Sequence, residues 1–258
     1  MVNAAENLKR PSLFWLITEA GRAVTELGVT YSYQKLNKNK GGGDGHPVLI
    51  LPGFMATKRS TAVLRNFVTD SGYAAYDWGL GRNRGKTEYM ELLLDRMEEL
   101  HHKHRQPLSL IGWSLGGVFA RQIAKERPAL TRQVITLGSP FQDIAQPNNI
   151  AWLHTLLSGG RTAKDIDHAL LNSLPVPAPV PTTAIYSKED GIVPWQVCME
   201  KEEDALHQNI QVRGSHCGLG VNSSVLRVIA DRLQYDKDNW SHFKSKGLIE
   251  GLIYPSLK

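Results

Sequence analysis

The chain has 258 residues, 41% of them hydrophobic, which is enough to bury a substantial core without disulfides or metals. Its 30 Lys and Arg against 25 Asp and Glu give a net charge of +5 that is spread along the sequence. No long run of like charge marks a nucleic-acid-binding arm, and no His or Cys spacing is typical of a metal site. We therefore expect one domain over 1–258, with no nucleic-acid partner and no bound metal.

The N-terminal segment predicts a helix over 8–27 that ends at Gly28, so that residues 1–28 form an N-terminal helix. Its apolar core is too short for a signal peptide, and the sequence has no run long enough to span a membrane. These patterns predict a cytoplasmic protein with the helix docked on its domain. The alternative is a peripheral membrane contact, because a basic pair precedes four apolar residues at 14–17.

After the first helix, short apolar runs alternate with helical patterns. The runs predict strands over 29–36, 47–54, 72–79, 108–113, 132–140, 182–190 and 209–214, and the helical patterns cover 58–70, 87–105, 115–126 and 222–233. This alternation predicts an α/β fold, with a mostly parallel central sheet and helices on both faces. In such sheets the active site lies beyond the carboxyl ends of the strands.

One segment, 141–181, interrupts the alternation. It contains two short helical patterns and then a proline-rich run, which cannot be helical because each proline disfavours the α conformation at the residue before it. An inserted segment beyond a strand end would cover the site, so we interpret it as a lid or cap. Trp152 and Leu156 are its candidates to line an apolar substrate pocket.

The motif G-x-S-x-G occurs once, as Gly112-Trp113-Ser114-Leu115-Gly116, between a predicted strand and a predicted helix. A sharp strand-to-helix turn crowds its flanks, so two positions tolerate no Cβ and the serine is held strained with its hydroxyl clear of the sheet. Ser114 is therefore the candidate nucleophile. Trp113 either packs beneath the turn or walls the substrate pocket.

A serine hydroxyl is a weak nucleophile and needs a base that a third group orients. His216 is the candidate base, since it follows the last predicted strand in a loop rich in Gly and Ser. The candidate acid is Asp190, just past its strand at an Asp-Gly turn, and Asp143 is its rival. His46 precedes the first core strand and therefore lies at the wrong end of it.

The developing negative charge of acyl transfer requires backbone N–H donors, which form an oxyanion hole. Leu115 is the first candidate donor because it directly follows the nucleophile. The second is Phe54, in the loop after the first core strand, with Met55 as the weaker alternative. Arg82 lies just past another strand and is a candidate either for a loop ionic network or for binding an anionic group.

In chain order, "LPGF", "GWSLGG", "SKEDGIVP" and "SHCGLGVN" together resemble the α/β-hydrolase superfamily over about residues 47–233. Within it, the sequence looks most like the lipase and esterase branches. The resemblance implies hydrolysis of a small-molecule or lipid carboxylic ester through an acyl-serine intermediate, with no cofactor. An acyltransferase or thioesterase that uses the same three residues is the alternative, and a non-catalytic binding protein of this fold is a further one.

Overall fold

The computed structural model describes residues 11–36, 41–142 and 172–255. In these ranges six strands form one sheet in the order β2-β1-β3-β4-β5-β6, and every neighbouring pair is parallel. The strands are β1 (Pro47–Leu51), β2 (Ala74–Asp77), β3 (Leu108–Trp113), β4 (Thr131–Leu137), β5 (Thr182–Ser187) and β6 (His207–Val212). The predicted fold class is confirmed.

Six α-helices lie wholly within the described residues, outside the sheet. They are α1 (Leu13–Leu36), α2 (Ala62–Asp70), α3 (Tyr89–His104), α4 (Leu115–Glu126), α5 (Ser223–Arg232) and α6 (Gly247–Ile253). Alternate side chains of each strand point to opposite faces of the sheet, so β1 contributes to two separate cores. Leu49 and Leu51 pack with α3 and α4, whereas Val48 and Ile50 pack with α2 and α5.

The segment 29–36 is helical, and the predicted strand there is wrong. Helix α1 continues through Gly28 to Leu36. The alternation of apolar residues at 29–36 favours a strand, but local propensity is weak against tertiary contacts. Thr30 is fully buried, one turn after Glu26, on the face of α1 that docks on the domain.

The segment interpreted as a lid is described only at its ends. Asp143, Trp152 and Leu156 lie outside the described residues, so their predicted roles stay predictions. At the far end, the side chains of Leu174, Ala178 and Val180 are fully buried in the core that contains α4. The run 172–181 therefore packs into the domain at these three residues, and the predicted lid over 141–181 stays a prediction.

Candidate active site

The turn between β3 and α4 is built around Ser114. This residue has φ 53° and ψ −123°, a conformation that is costly for any residue except glycine and persists only where the surroundings enforce it. A Cβ on Gly112 would lie 2.2 Å from Gly117 Cα, and one on Gly116 would lie 2.3 Å from the Leu51 carbonyl oxygen. The glycines therefore allow α4 to begin against β1 and β3, and this packing holds the strained serine.

The loop after β1 lies beside the Ser114 hydroxyl. A Cβ on Gly53 would be 3.2 Å from Ser114 Cβ and 3.9 Å from its Oγ. The next two residues differ in their backbone partners. The Met55 N–H donates to the Asn83 carbonyl at 2.6 Å, whereas the Phe54 N–H has no hydrogen-bond acceptor among the described residues.

Asn83 braces this loop from two directions. Its side-chain amide donates to the Pro52 carbonyl at 2.8 Å, and its backbone pairs with Met55 and Ala56. The side chain is fully buried. Asn83 lies between Arg82 and Arg84 in the sequence, and nothing in this local pattern distinguishes its amide as a brace for the loop.

His216 and Asp190 are joined by a hydrogen bond of 2.6 Å between Nδ1 and Oδ2. The other carboxylate oxygen of Asp190 accepts the backbone N–H groups of Ile192 and Val193 at 2.8 and 2.7 Å. Both members of the pair are almost completely buried. The turn that follows Asp190 thus fixes the carboxylate, and the carboxylate fixes the orientation of the His216 ring.

Trp113 connects the nucleophile turn to the histidine loop. Its indole N–H donates to the His216 carbonyl at 3.1 Å, and its ring would be 3.1 Å from a Cβ on Gly220. Among the described residues, no hydrogen bond joins Ser114 Oγ to the His216 ring. Such bonds are often long in an unliganded enzyme and tighten when substrate binds.

The charges around His216 favour its protonated form. Burial on its own lowers the pKa of His216, but the Asp190 carboxylate and, beyond it, Glu19 outweigh burial and raise this pKa above its ordinary value of 6.5. An imidazole that gains a proton at this position would be stabilised as imidazolium, which suits a base in acyl transfer.

Arg82 is exposed at the surface. With Lys58, Arg59 and Asp77 it lines a cavity of about 390 Å³ that neither Ser114 nor His216 borders. The predicted role of Arg82 in binding an anionic group stays a prediction. In the ranges that the structure covers, no group of three His, Cys, Asp or Glu side chains could hold a metal ion.

Two carboxylates of α1 reach the candidate site, and neither was predicted from the sequence. Glu19 and Glu26 accept backbone N–H groups from the loops that carry Asp190 and His216. Their spacing of two helical turns places them on one face of α1. This spacing is the one feature of the sequence that indicates a shared role for the two carboxylates. Their acceptor role depends on loops that are remote in the chain, so the spacing could not assign it.

A second Ser–His–Asp array lies at the opposite edge of the sheet. His46 Nδ1 is 2.5 Å from Asp44 Oδ1, and His46 Nε2 is 2.8 Å from the Oγ of Ser109, near the start of β3. Ser109 and His46 are fully buried. His46 precedes β1, so it lies at the amino end of that strand, as the sequence indicated. The array is therefore at the opposite end of the strands from Ser114.

Several known proteins are similar to this chain, although no family model matches it. The phosphatidylcholine-sterol acyltransferase of Oryctolagus cuniculus is 30% identical over 131 residues, which are 48% of this chain and 27% of that protein. The same enzyme of Gallus gallus is 29% identical over 143 residues, which are 53% of this chain and 31% of that protein. The matched region thus spans less than a third of either relative.

Solved structures give broader coverage at lower identity. Aspergillus fumigatus lipase B superposes with a TM-score of 0.56 and 16% identity, over 78% of this chain and 55% of the lipase. A lipase-esterase related protein from Clostridium acetobutylicum gives 0.53 and 17%, over 75% of this chain and 96% of that one. With its six-stranded parallel sheet and these structural likenesses, the chain has the fold of the α/β-hydrolases.

Proposed function

We propose that this protein is a serine hydrolase that cleaves carboxylic esters through an acyl-serine intermediate. The observation that carries the proposal is the hydrogen-bonded His216–Asp190 pair at the carboxyl edge of the sheet, where Ser114 also lies in a strained turn. Nucleophile, base and acid follow one another in the chain order that this fold uses. Similarity to lipases and esterases of known structure supports the reaction class.

In the proposed first step, Ser114 Oγ attacks the acyl carbonyl while His216 Nε2 removes its proton. The tetrahedral intermediate collapses to an acyl-serine, and His216 returns the proton to the leaving alcohol. Water then repeats the sequence, with His216 as base, and releases the carboxylic acid. Asp190 holds the Nδ1–H tautomer and stabilises the imidazolium without taking its proton.

The proposed oxyanion hole consists of the backbone N–H groups of Phe54 and Leu115. Support for Phe54 comes from its lack of a backbone acceptor in the described part of the chain and from the position of Gly53 beside Ser114. Leu115 is the first residue of α4, where the partial positive charge of the helix N-terminus favours an anion. Met55 does not fit the role because its N–H already donates to Asn83.

The test is hydrolysis of p-nitrophenyl esters of increasing acyl length by the wild-type chain and by Ser114→Ala. The wild type should release p-nitrophenol, and Ser114→Ala should lose roughly 10⁶-fold in kcat, because removing the nucleophile removes the covalent route. A Ser114→Ala variant with wild-type turnover would overturn the assignment. The acyl-length series also identifies the preferred ester.

Acyl transfer to an acceptor other than water is the second candidate activity, and similarity to acyltransferases favours it. The same acyl-serine would form, so the two activities differ only in what attacks it. Adding an alcohol to the p-nitrophenyl ester assay should divert product from acid to ester if the protein is a transferase. A thioesterase would hydrolyse acyl thioesters faster than the matched oxygen esters.

We further propose that α1 contacts the surface of a lipid substrate. Phe14 and Ile17 are 63% and 79% exposed, and Leu13 and Val24 also lie on the outer side of the helix. A helix that exposes large apolar side chains can insert them into the headgroup region of a bilayer. The described helices include none that is long and apolar enough to cross a membrane.

Phe14→Ser with Ile17→Ser should reduce cosedimentation with phosphatidylcholine vesicles while hydrolysis of a short-chain ester is retained.

A further inference from the structure

Helix α1 docks on the domain through polar side chains. An ordinary surface helix buries an apolar stripe and exposes its polar face. In α1 the buried positions include Glu19 and Thr30, whereas large apolar residues such as Ile17 and Val24 are exposed. What holds the helix in place is therefore a set of directed hydrogen bonds, and these bonds end on the loops of the candidate active site.

Glu19 is the centre of this contact. Its Oε1 accepts the N–H of Gly191 at 2.7 Å and that of His216 at 3.1 Å, and its Oε2 accepts the N–H of Cys217 at 3.1 Å. Arg22 donates to Oε1 at 3.0 Å. Glu19 is 5% exposed, so its carboxylate is a buried acceptor with four donors.

The backbone of α1 approaches the acid loop very closely. A Cβ on Gly191 would lie 2.4 Å from the carbonyl carbon of Trp15, so only glycine fits at this contact. Gly191 directly follows Asp190, and the other N–H groups that Glu19 accepts belong to His216 and its neighbour. One side chain thus fixes the backbone on both sides of the His216–Asp190 hydrogen bond.

We propose that Glu19 is a positioning residue for the Asp190–His216 pair, which it holds in register from the N-terminal helix through the backbones of both loops. This inference rests on the proposed function, in which that pair activates Ser114. Glu19 touches neither Ser114 nor the His216 ring by hydrogen bond, so its effect passes through the loops and through its charge. The contribution through the loops is measured by kcat, and the contribution of the charge is measured by the midpoint of the His216 titration.

The charge contribution acts on His216 from a defined set of neighbours. Asp190 faces the ring from the loop after β5, Glu19 faces it from α1, and Cys217 adjoins it in the chain. Arg22 pairs with Glu19. Glu26 accepts the backbone N–H of Ser215, the residue before His216. Of the two α1 carboxylates, Glu19 contributes to the raised pKa of His216, together with the larger effect of Asp190.

Glu26 provides a matched control on the same helix face. Its Oε1 accepts the Ser215 N–H at 2.8 Å, and its Oε2 accepts the Asn222 side-chain amide at 3.1 Å. It therefore fastens the same loop to the same helix without bonding to the backbone of His216 or to the residue after Asp190. Glu19→Gln and Glu26→Gln are isosteric changes that each remove one carboxylate.

The experiment measures kcat and KM across pH for a p-nitrophenyl ester, together with NMR titration of the His216 ring, in wild type, Glu19→Gln and Glu26→Gln. Glu19→Gln places an amide donor against the Cys217 N–H and removes the charge. We expect its kcat to fall about 10- to 100-fold with KM nearly unchanged, because a small misplacement of a catalytic group costs up to about 100-fold. Because a negative neighbour favours imidazolium, the His216 midpoint should also move to lower pH.

Glu26→Gln should leave the His216 midpoint at its wild-type position. The inference is overturned if Glu19→Gln keeps the wild-type kcat and midpoint, or if both variants lose kcat equally with no change in midpoint, which would indicate a folding role alone. If the wild type itself has no esterase activity, the proposed function fails. A midpoint that still shifts only in Glu19→Gln would then support the coupling of α1 to the pair, and an unshifted midpoint would overturn it as well.

Discussion

The two ends of strand β3 carry the same three residue types with different consequences. At the amino end, Ser109, His46 and Asp44 form a continuous hydrogen-bonded chain, with distances of 2.8 and 2.5 Å. At the carboxyl end, His216 and Asp190 are bonded at 2.6 Å, while Ser114 has no hydrogen bond to the imidazole within the described residues. By hydrogen bonding alone, the amino end looks the more complete triad.

The surroundings reverse that ranking. Ser109 lies within β3, paired with Val48 on β1, and is fully buried with His46, so no substrate can reach its hydroxyl. Ser114 lies at the strained junction of β3 and α4, where the sheet edge, a helix N-terminus and the loop after β1 meet. A hydrogen-bonded Ser–His–Asp set is therefore only part of a site, and backbone strain and nearby N–H donors supply the rest.

The two histidines also differ in charge preference. Burial lowers the pKa of His46, and the Arg132 guanidinium lowers it further, against the opposing effect of Asp44. At His216 the carboxylates of Asp190 and Glu19 outweigh burial and raise the pKa. A histidine held neutral satisfies a buried serine, whereas one that readily gains a proton can serve as a base.

The largest expected contrast is between the two aspartates. Asp190→Asn should lower kcat by about 10⁴-fold, because an amide in place of the carboxylate disfavours the required tautomer of His216. Asp44→Asn, the same change at the amino end, should leave kcat at the wild-type level. Steady-state hydrolysis of a p-nitrophenyl ester by both variants measures this. A similar loss in Asp44→Asn would mean that the amino-end array takes part in the reaction.

Two glycines sharpen the comparison because both have positive φ. Gly138, with φ 53°, lies where a Cβ would be 3.2 Å from both Asp190 Oδ2 and His216 Nδ1 and 2.7 Å from Leu219 Cδ1. Gly45, with φ 76°, has open space around it beside Asp44. Each change to Ala should cost about 1–2 kcal/mol of stability for the left-handed backbone. Only Gly138→Ala should also lower kcat, by about 100-fold, since it displaces the pair.

Ser109→Ala tests the structural role of the amino-end array. The variant leaves a buried ring nitrogen of His46 without its partner, so the free energy of unfolding should fall by about 1–3 kcal/mol with kcat unchanged. Urea denaturation measured beside Ser114→Ala gives the contrast, because the latter should change stability little. If Ser109→Ala is as stable as the wild type, the hydrogen bond to His46 contributes nothing to folding.

The pH dependence should separate the two histidines by sign. Hydrolysis needs neutral His216, so kcat/KM should fall as the pH drops through its raised pKa, and the midpoint of this acid limb should lie above 6.5. His46 has a lowered pKa, so its contribution to stability is present above 6.5 and is lost as the pH falls below that value. An acid limb with its midpoint below 6.5 would contradict the electrostatic account of His216.

Much of this arrangement is predictable from the sequence because it depends on local constraints. The apolar run over 108–113 and the glycines around Ser114 predict strand, turn and helix with the bounds that the structure has. Asp190 and His216 were predictable because parallel strands place their carboxyl ends at one edge, and the structure brings these two side chains together. Their catalytic roles remain proposals.

The contribution of α1 was not predictable in the same way. Hydrophobic periodicity assumes that a helix docks through apolar residues, and α1 docks through Glu19 and Glu26 instead. Four of the partners of these carboxylates are backbone N–H groups, and the identity of a side chain does not predict a contact made by its backbone. Gly28 is also a typical helix end in the sequence, whereas α1 continues through it to Leu36, with Thr30 buried.

Labelling with a fluorophosphonate tests the central claim most directly, because the reagent captures an activated serine whatever the natural substrate. Peptide mapping of the labelled wild-type chain should place one equivalent of the adduct on Ser114 and none on Ser109. His216→Ala should abolish labelling, since the serine is then without its base. A folded sample that takes up no label, or one labelled at Ser109, would contradict the assignment of the active site to the carboxyl end of β3.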